Sequence, residues 1–170
     1  FTVGRYTTDA TKIDAFGTVF ETETRGISIR WDPWADGGNG DEMVSGSYTT
    51  NAENNAYGTL IAQDTVGESY TRIGVDGEGE YTAYMGQATY YDYLAGMYTT
   101  AANVDAYGTV LSTTTIGESH KWDQVEGVDI MTGIYTTNAL NNVYGTLMTQ
   151  ITIGESYNKV PNPANPTGPY

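Results

Sequence analysis

The 170 residues carry 21 acids against seven Lys and Arg, a formal charge of −14, with no Cys and a single His. That charge repels a nucleic-acid backbone or an anionic membrane surface, and the lack of Cys removes disulfide and thiolate chemistry. No apolar run approaches the roughly 18 residues a membrane-crossing helix needs. The chain begins at Phe1 rather than Met, which we read as a mature, exported product, and no permitted N-x-[ST] sequon is present.

Tyr, Thr and Gly dominate, good helix formers are scarce, and no window holds an apolar stripe of helical period, so the chain reads as all-β. It says one thing four times. Gly46–Ile73 (GSYTTNAENNAYGTLIAQDTVGESYTRI) and Gly133–Val160 (GIYTTNALNNVYGTLMTQITIGESYNKV) agree at 18 of 28 positions, and looser copies start at Gly4 and Gly96. With the short apolar stub before each Gly, the units are 1–31, 43–73, 93–122 and 130–160. The aromatic of the Y/F-G-T element and a later Gly keep a fixed spacing in each: Phe16 to Gly26, Tyr57 to Gly67, Tyr107 to Gly117, Tyr144 to Gly154. Such constancy predicts paired strands whose register cannot slip.

Within a unit, the stub and G-x-Y-T-T predict a first strand, and N-A-E-N-N or its equivalent a polar turn. Ala56–Gln63 predicts a second strand and Glu68–Ile73 a third. Mid-strand apolar residues on both faces of the second suggest burial on two sides. Gly17, Gly58, Gly108 and Gly145 then fall inside strands, where a ring or another backbone should cover them. The first and third units end basic-Trp-Asp (Arg30-Trp31-Asp32, Lys121-Trp122-Asp123), the second and fourth basic-aliphatic (Arg72-Ile73, Lys159-Val160). The order is therefore A-B-A-B, two duplicated halves at 1–92 and 93–160.

The expected fold is a single all-β domain over 1–160, antiparallel hairpin repeats forming a β-sandwich or flattened barrel with internal pseudo-twofold duplication; a four-bladed propeller is the alternative. Residues 161–170, PNPANPTGPY, predict an extended Pro-rich arm, with Pro161, Pro163, Pro166, Pro169 and Tyr170 as its contact residues.

Three insertions interrupt the repeats. Asp32, Asp36, Asn39, Asp41 and Glu42 stand among glycines in a loop, raw material for a Ca²⁺ site, although a solvated acidic turn explains the same residues. Gly74–Asp92 predicts an added hairpin, YTAYM against ATYYDY, about Gly86-Gln87. Its Tyr81, Tyr84, Tyr90 and Tyr91, with Trp34, are candidates for stacking on a glycan or a protein partner, against the ordinary role of strand aromatics as filling. Asp123–Asp129 is a short acidic link.

Gly117-Glu118-Ser119-His120 suggests a Ser–His pair, but the other copies place Tyr where His120 stands, and neighbouring strand residues point to opposite faces. Arg30, Arg72, Lys121 and Lys159 share one template position, and such regularity suggests pairing with carboxylates of a neighbouring unit or subunit. The Thr-Thr pairs suit β-structure and also O-glycosylation. No metalloprotease, serine-hydrolase, phosphate-loop or dinucleotide signature is present, so no enzyme activity is expected. The leading expectation is a secreted or cell-surface structural protein whose copies assemble into a filament, sheath or surface layer through strand edges and the arm. A glycan-binding lectin or adhesin is the first alternative and a small barrel carrying a ligand or an active site the second. No nucleic-acid partner and no membrane insertion are expected.

Overall fold

The computed structural model describes residues 2–35, 39–75, 81–83, 89–124 and 126–159. It is all-β and antiparallel: β1 (Gly4–Ile13), β2 (Val19–Asp32), β3 (Asp41–Asn54), β4 (Leu60–Val75), β5 (Tyr81–Ala83), β6 (Thr89–Val104), β7 (Val110–Asp123), β8 (Val128–Asn141) and β9 (Leu147–Ser156). The strands pair in the order β1-β2-β3-β4-β6-β7-β8-β9, with β5 added beside β4. This is one open sheet, a meander with β1 and β9 as its edges. Sandwich, flattened barrel and propeller were the expected forms; among the described residues the strands neither stack as two sheets nor close nor divide into blades. Apolar residues on both faces of Ala56–Gln63 gave the expectation of two-sided burial, yet Tyr57 and Ile61 are exposed.

Each unit is one long hairpin rather than three strands. The expected second strand starts only at Leu60, its Ala56–Thr59 falling in the turn, and runs unbroken into the third as β4, while the expected polar turn of the second unit lies largely inside β3, where Asn51 and Ala52 pair with Asp64 and Gln63. The chain reverses later, at Asn55–Thr59. There Asn55 Oδ1 accepts the N–H groups of Tyr57 and Thr59 at 2.9 and 3.0 Å, and Gly58 takes φ +76°. The same bonds recur at Asp14, Asp105 and Asn142, with Gly17, Gly108 and Gly145 at φ +89°, +85° and +75°. Glycine is used here for the left-handed backbone. The covering ring expected over these glycines is absent; at Gly17 and Gly58 an added Cβ would meet nothing within 4 Å.

The ring lies over a different glycine. Register across the sheet builds a continuous row, Tyr6, Gly26, Tyr48, Gly67, Tyr98, Gly117, Tyr135, Gly154. Tyr48 leans onto Gly26, Tyr98 onto Gly67 and Tyr135 onto Gly117, so closely that a Cβ on these glycines would sit 2.3–2.4 Å from ring atoms. Two residues along is a row of eight threonines, Thr8, Thr24, Thr50, Thr65, Thr100, Thr115, Thr137 and Thr152. Their hydroxyls bond within each hairpin at 2.8–2.9 Å. A one-layer sheet has no opposing layer to pack on, so cross-strand pairs of this kind must supply much of its cohesion.

At the end opposite the turns the sheet forks. β3–β4 pairing stops at Gly46↔Ser69 and β6–β7 pairing at Gly96↔Ser119, whereas β2–β3, β4–β6 and β7–β8 continue past a register shift to Asp32↔Asp41, Val75↔Thr89 and Asp123↔Val128. Three arms result, the first and third two-stranded and the second widened by β5. The first two arms and the turn after β2 hold the buried apolar side chains Ile29, Ala35, Met43, Ile73 and Tyr93. Of the expected hairpin of YTAYM on ATYYDY, residues 84–88 lie outside the described residues; β5 pairs with β4, Ile73↔Ala83, and β6 pairs with the opposite side of the same stretch, Ile73↔Tyr91.

Candidate functional site

The charged chemistry collects where the arms meet. Arg72, on β4, donates to Asp32 Oδ2 at 2.7 Å and to Asp92 Oδ1 at 3.0 Å, and its guanidinium sits 4.0 Å from the centroid of the Tyr90 ring. Side-chain exposure of Arg72 and Asp32 is 5% and 6%. Asp32 Oδ1 also accepts the backbone N–H of Trp34 at 3.0 Å. Lys159 repeats the arrangement, reaching Asp123 Oδ2 at 2.7 Å and also Glu126. In both cases the basic residue of a B unit grips the Asp that ends the preceding A unit. The regular basic positions therefore pair as expected at Arg72 and Lys159. Arg30 instead donates Nε–H to Met43 Sδ at 3.3 Å, and neither it nor Lys121 meets a carboxylate among the described residues.

Two of the acids expected to surround Ca²⁺ are thus engaged within the chain: Asp32 by Arg72, and Glu42 by Arg5 at 3.1 Å. Asp41 Oδ1 accepts the N–H of Glu42 at 2.7 Å. Asn39 is exposed, and Asp36 lies outside the described residues. Among the described residues no three His, Cys, Asp or Glu side chains are gathered to hold a metal ion.

The second and third arms meet through a network that includes the one histidine. The Tyr93 hydroxyl donates to Asp129 Oδ1, His120 Nδ1 lies 2.8 Å from Asp129 Oδ2 and its Nε2 lies 3.4 Å from Glu118, while the Trp122 ring stands edge-on to Tyr93 at 6.1 Å. Ser119 Oγ instead accepts from Thr132 Oγ1 at 3.1 Å, so it forms no nucleophile–base pair with His120. Burial pulls the His120 pKa down, but its contacts with Asp129 and Glu118 outweigh that and hold it above its ordinary value. The Tyr93 hydrogen bond, with help from His120, holds the Asp129 carboxyl below the ordinary range. Burial first, then Asp129, pushes the Tyr93 hydroxyl up.

The sign of the pH dependence follows. His120 contributes stability below its unfolded pKa of 6.5 and loses it as pH rises through the raised folded value; Asp129 contributes above 3.8 and loses it as pH falls through the lowered one. We expect the difference in melting temperature between the native protein and His120→Gln to be widest from about pH 4 to 6.5 and to shrink on either side. Thermal melts between pH 3 and 9 measure it, and a difference flat across that range would remove the network from the stability of the fold.

Of the aromatic candidates, Trp34, Tyr90 and Tyr91 are exposed. The Tyr81 side chain, Tyr84 and the arm residues Pro161, Pro163, Pro166, Pro169 and Tyr170 lie outside the described residues. A different aromatic set emerges instead. Phe16, Tyr57, Tyr107 and Tyr144 stand at the four hairpin tips, 86–95% exposed, along one end of the sheet. Neighbouring tips are two strand spacings apart, roughly 9–10 Å, except where twist changes it. Placing the turn at N-A-E-N-N hid this set; the Asx residue followed two positions later by an aromatic and then Gly was the signal for it.

The remaining unsatisfied chemistry is backbone. β1 and β9 each have one paired side, and all their residues are exposed. Such edges are templates for another strand. No helix among the described residues is long and apolar enough to cross a membrane. Compared with protein-family models, curated proteins and solved structures, the chain matches none.

Proposed function

We propose that the protein is an extracellular structural protein whose copies join through strand edges, with the C-terminal arm assisting, into a filament, sheath or surface layer. The observation that carries this reading is the open sheet with two ten-residue edges that no further strand covers among the described residues. Natural sheets blunt exposed edges by covering, shortening or charging them, and β9 carries no charged residue from Leu147 to Gly154. The A-B-A-B alternation belongs to the same reading: duplication of a hairpin pair lengthens a sheet while keeping an A strand at one edge and a B strand at the other, and the Arg72–Asp32 and Lys159–Asp123 pairs fall at matching places in the two halves. No catalytic role is assigned to any residue.

Sedimentation and electron microscopy at micromolar concentration, with and without Ca²⁺ and for full-length chain and chain lacking 161–170, test it. Higher-order assemblies are expected, reduced by loss of the arm; a monomer that persists under all these conditions would sink the proposal. A lectin or adhesin is the second reading, supported by the exposed hairpin-tip aromatics, since flat rings in a row suit stacking on sugars. Binding to immobilised glycans that disappears in Tyr57→Ala/Tyr107→Ala would favour it.

A further inference from the structure

The Tyr–Gly row is complete inside the sheet and incomplete at both ends. At the three places where one unit's β-strand meets the next unit's first strand, the tyrosine leans back onto the preceding glycine: Tyr48 on Gly26, Tyr98 on Gly67, Tyr135 on Gly117. Tyr6 has no preceding strand and stands 75% exposed, against 37% and 39% for Tyr98 and Tyr135. Gly154 has no following strand among the described residues. An added Cβ there meets Ile134 O at 3.0 Å and the Cβ of Tyr135 at 3.2 Å, with no ring over it. One edge presents a ring without a seat and the other a seat without a ring.

We propose that β9 of one copy pairs antiparallel with β1 of a second copy in the register that places Tyr6 on Gly154, continuing the sheet head to tail. This deepens, and rests on, the self-assembly reading above. The internal junctions fix the remaining partners: Thr24↔Thr50, Thr65↔Thr100 and Thr115↔Thr137 become Thr152↔Thr8, and Ser28↔Gly46, Ser69↔Gly96 and Ser119↔Gly133 become Ser156↔Gly4. The same register sets Glu155 opposite Arg5, which within one chain reaches Glu42. Opposite charges facing across strands stabilise a pair, and like charges oppose it.

The charge distribution favours this joint. Residues 1–31 hold four acids and four bases and residues 130–160 one of each, so both end units are neutral and the whole −14 lies between them. Face-to-face or side-to-side contact would bring the acidic middles together. End-to-end contact puts two end hairpins between them, five strand spacings from β7 of one copy to β3 of the next or roughly 24 Å, beyond the roughly 8–10 Å over which salt leaves charges visible to each other. A joint between two different edges leaves one edge of each kind free on every addition, so it extends as a ribbon until its rotation brings the two ends together.

Cysteine pairing reads the register directly, because the native chain has no Cys. Thr8→Cys/Thr152→Cys places the two sulfurs opposite each other across the joint, and Thr8→Cys/Thr149→Cys, with the second residue on the other face of β9, is the mismatched control. Under mild oxidation the matched variant is expected to give a ladder of covalent oligomers at least tenfold more abundant than the control. Tyr6→Ala in the otherwise native chain should raise the concentration needed for assembly about tenfold, with Tyr6→Phe restoring it. Assemblies that form but link no better in the matched variant overturn this register and leave self-assembly standing; chains that never assemble overturn both.

Discussion

Replacing Arg72 with alanine is expected to lower the stability of the fold by about 3–5 kcal/mol, the cost of leaving a buried charge without its partner. The loss comes from Asp32. Its side chain is 6% exposed, and it faces the Arg72 guanidinium at 2.7 Å. Without Arg72 it keeps the N–H of Trp34 but must stay charged in a buried position or take up a proton, and either is costly. Asp92 contributes little to this estimate because 43% of its side chain is exposed and water can take over. Arg72→Lys should recover only part, since an ammonium cannot lie flat against the Tyr90 ring and reach both carboxylates with a planar fork. Arg72→Met with Asp32→Leu should recover most of it, because no charge is then stranded. Urea unfolding of the four proteins measures these differences, and single and double variants of equal stability would show that Asp32 is solvated after all.

Gly67→Val is the second large effect, at about 2–3 kcal/mol, although valine is otherwise the better strand residue. A Cβ at this position lies 2.3 Å from the Tyr98 ring, inside any permitted contact. The ring would have to swing off the row, exposing Gly67 and losing cross-strand contact in the middle of the sheet. Tyr98→Ala in the Gly67→Val background removes the clash, so the double variant should be destabilised by less than the sum of the two single changes. Gly154→Val supplies the contrast: no ring covers Gly154, and the single chain should lose less than at Gly67. Thermal unfolding at a concentration where the native chain is monomeric separates the cases. Equal losses at Gly67 and Gly154 would mean that the rings are not what fills the row.

Much of this was legible in the chain. Tyr, Thr and Gly content gave the strand class, and the fixed spacing gave one repeated supersecondary unit. The recurring basic position gave the Arg72 and Lys159 pairs, since a charge repeated at a template position needs a repeated partner. The turn was misplaced because Asn51–Asn55 and Tyr57-Gly58 are both good turn formers, and only the need for positive φ decides for Gly58. Symmetry would have told. Tyr48 stands nine residues before Tyr57 and Gly67 nine after Gly58, so a reversal between Tyr57 and Gly58 sets ring against glycine. The single layer was not legible, because a strand with apolar residues on both faces reads alike whether a second layer covers it or water does. The forked arms depend on register shifts of one residue beside Ser28, Ser69 and Ser119, and alternation alone does not specify these.

The strand order has a kinetic meaning. Apart from the short β5, every strand pairs only with its neighbours along the chain, so no strand waits for a distant partner to close the sheet. Loop closure is cheap for each hairpin in turn, and a sheet of this kind can zip from whichever end is available first. A ribosome delivers the first unit before the others exist, and that unit carries one of the two open edges. Folding in the direction of synthesis would leave β9 as the last of these nine strands to appear, which limits how long a growing chain offers a neighbour both halves of a joint.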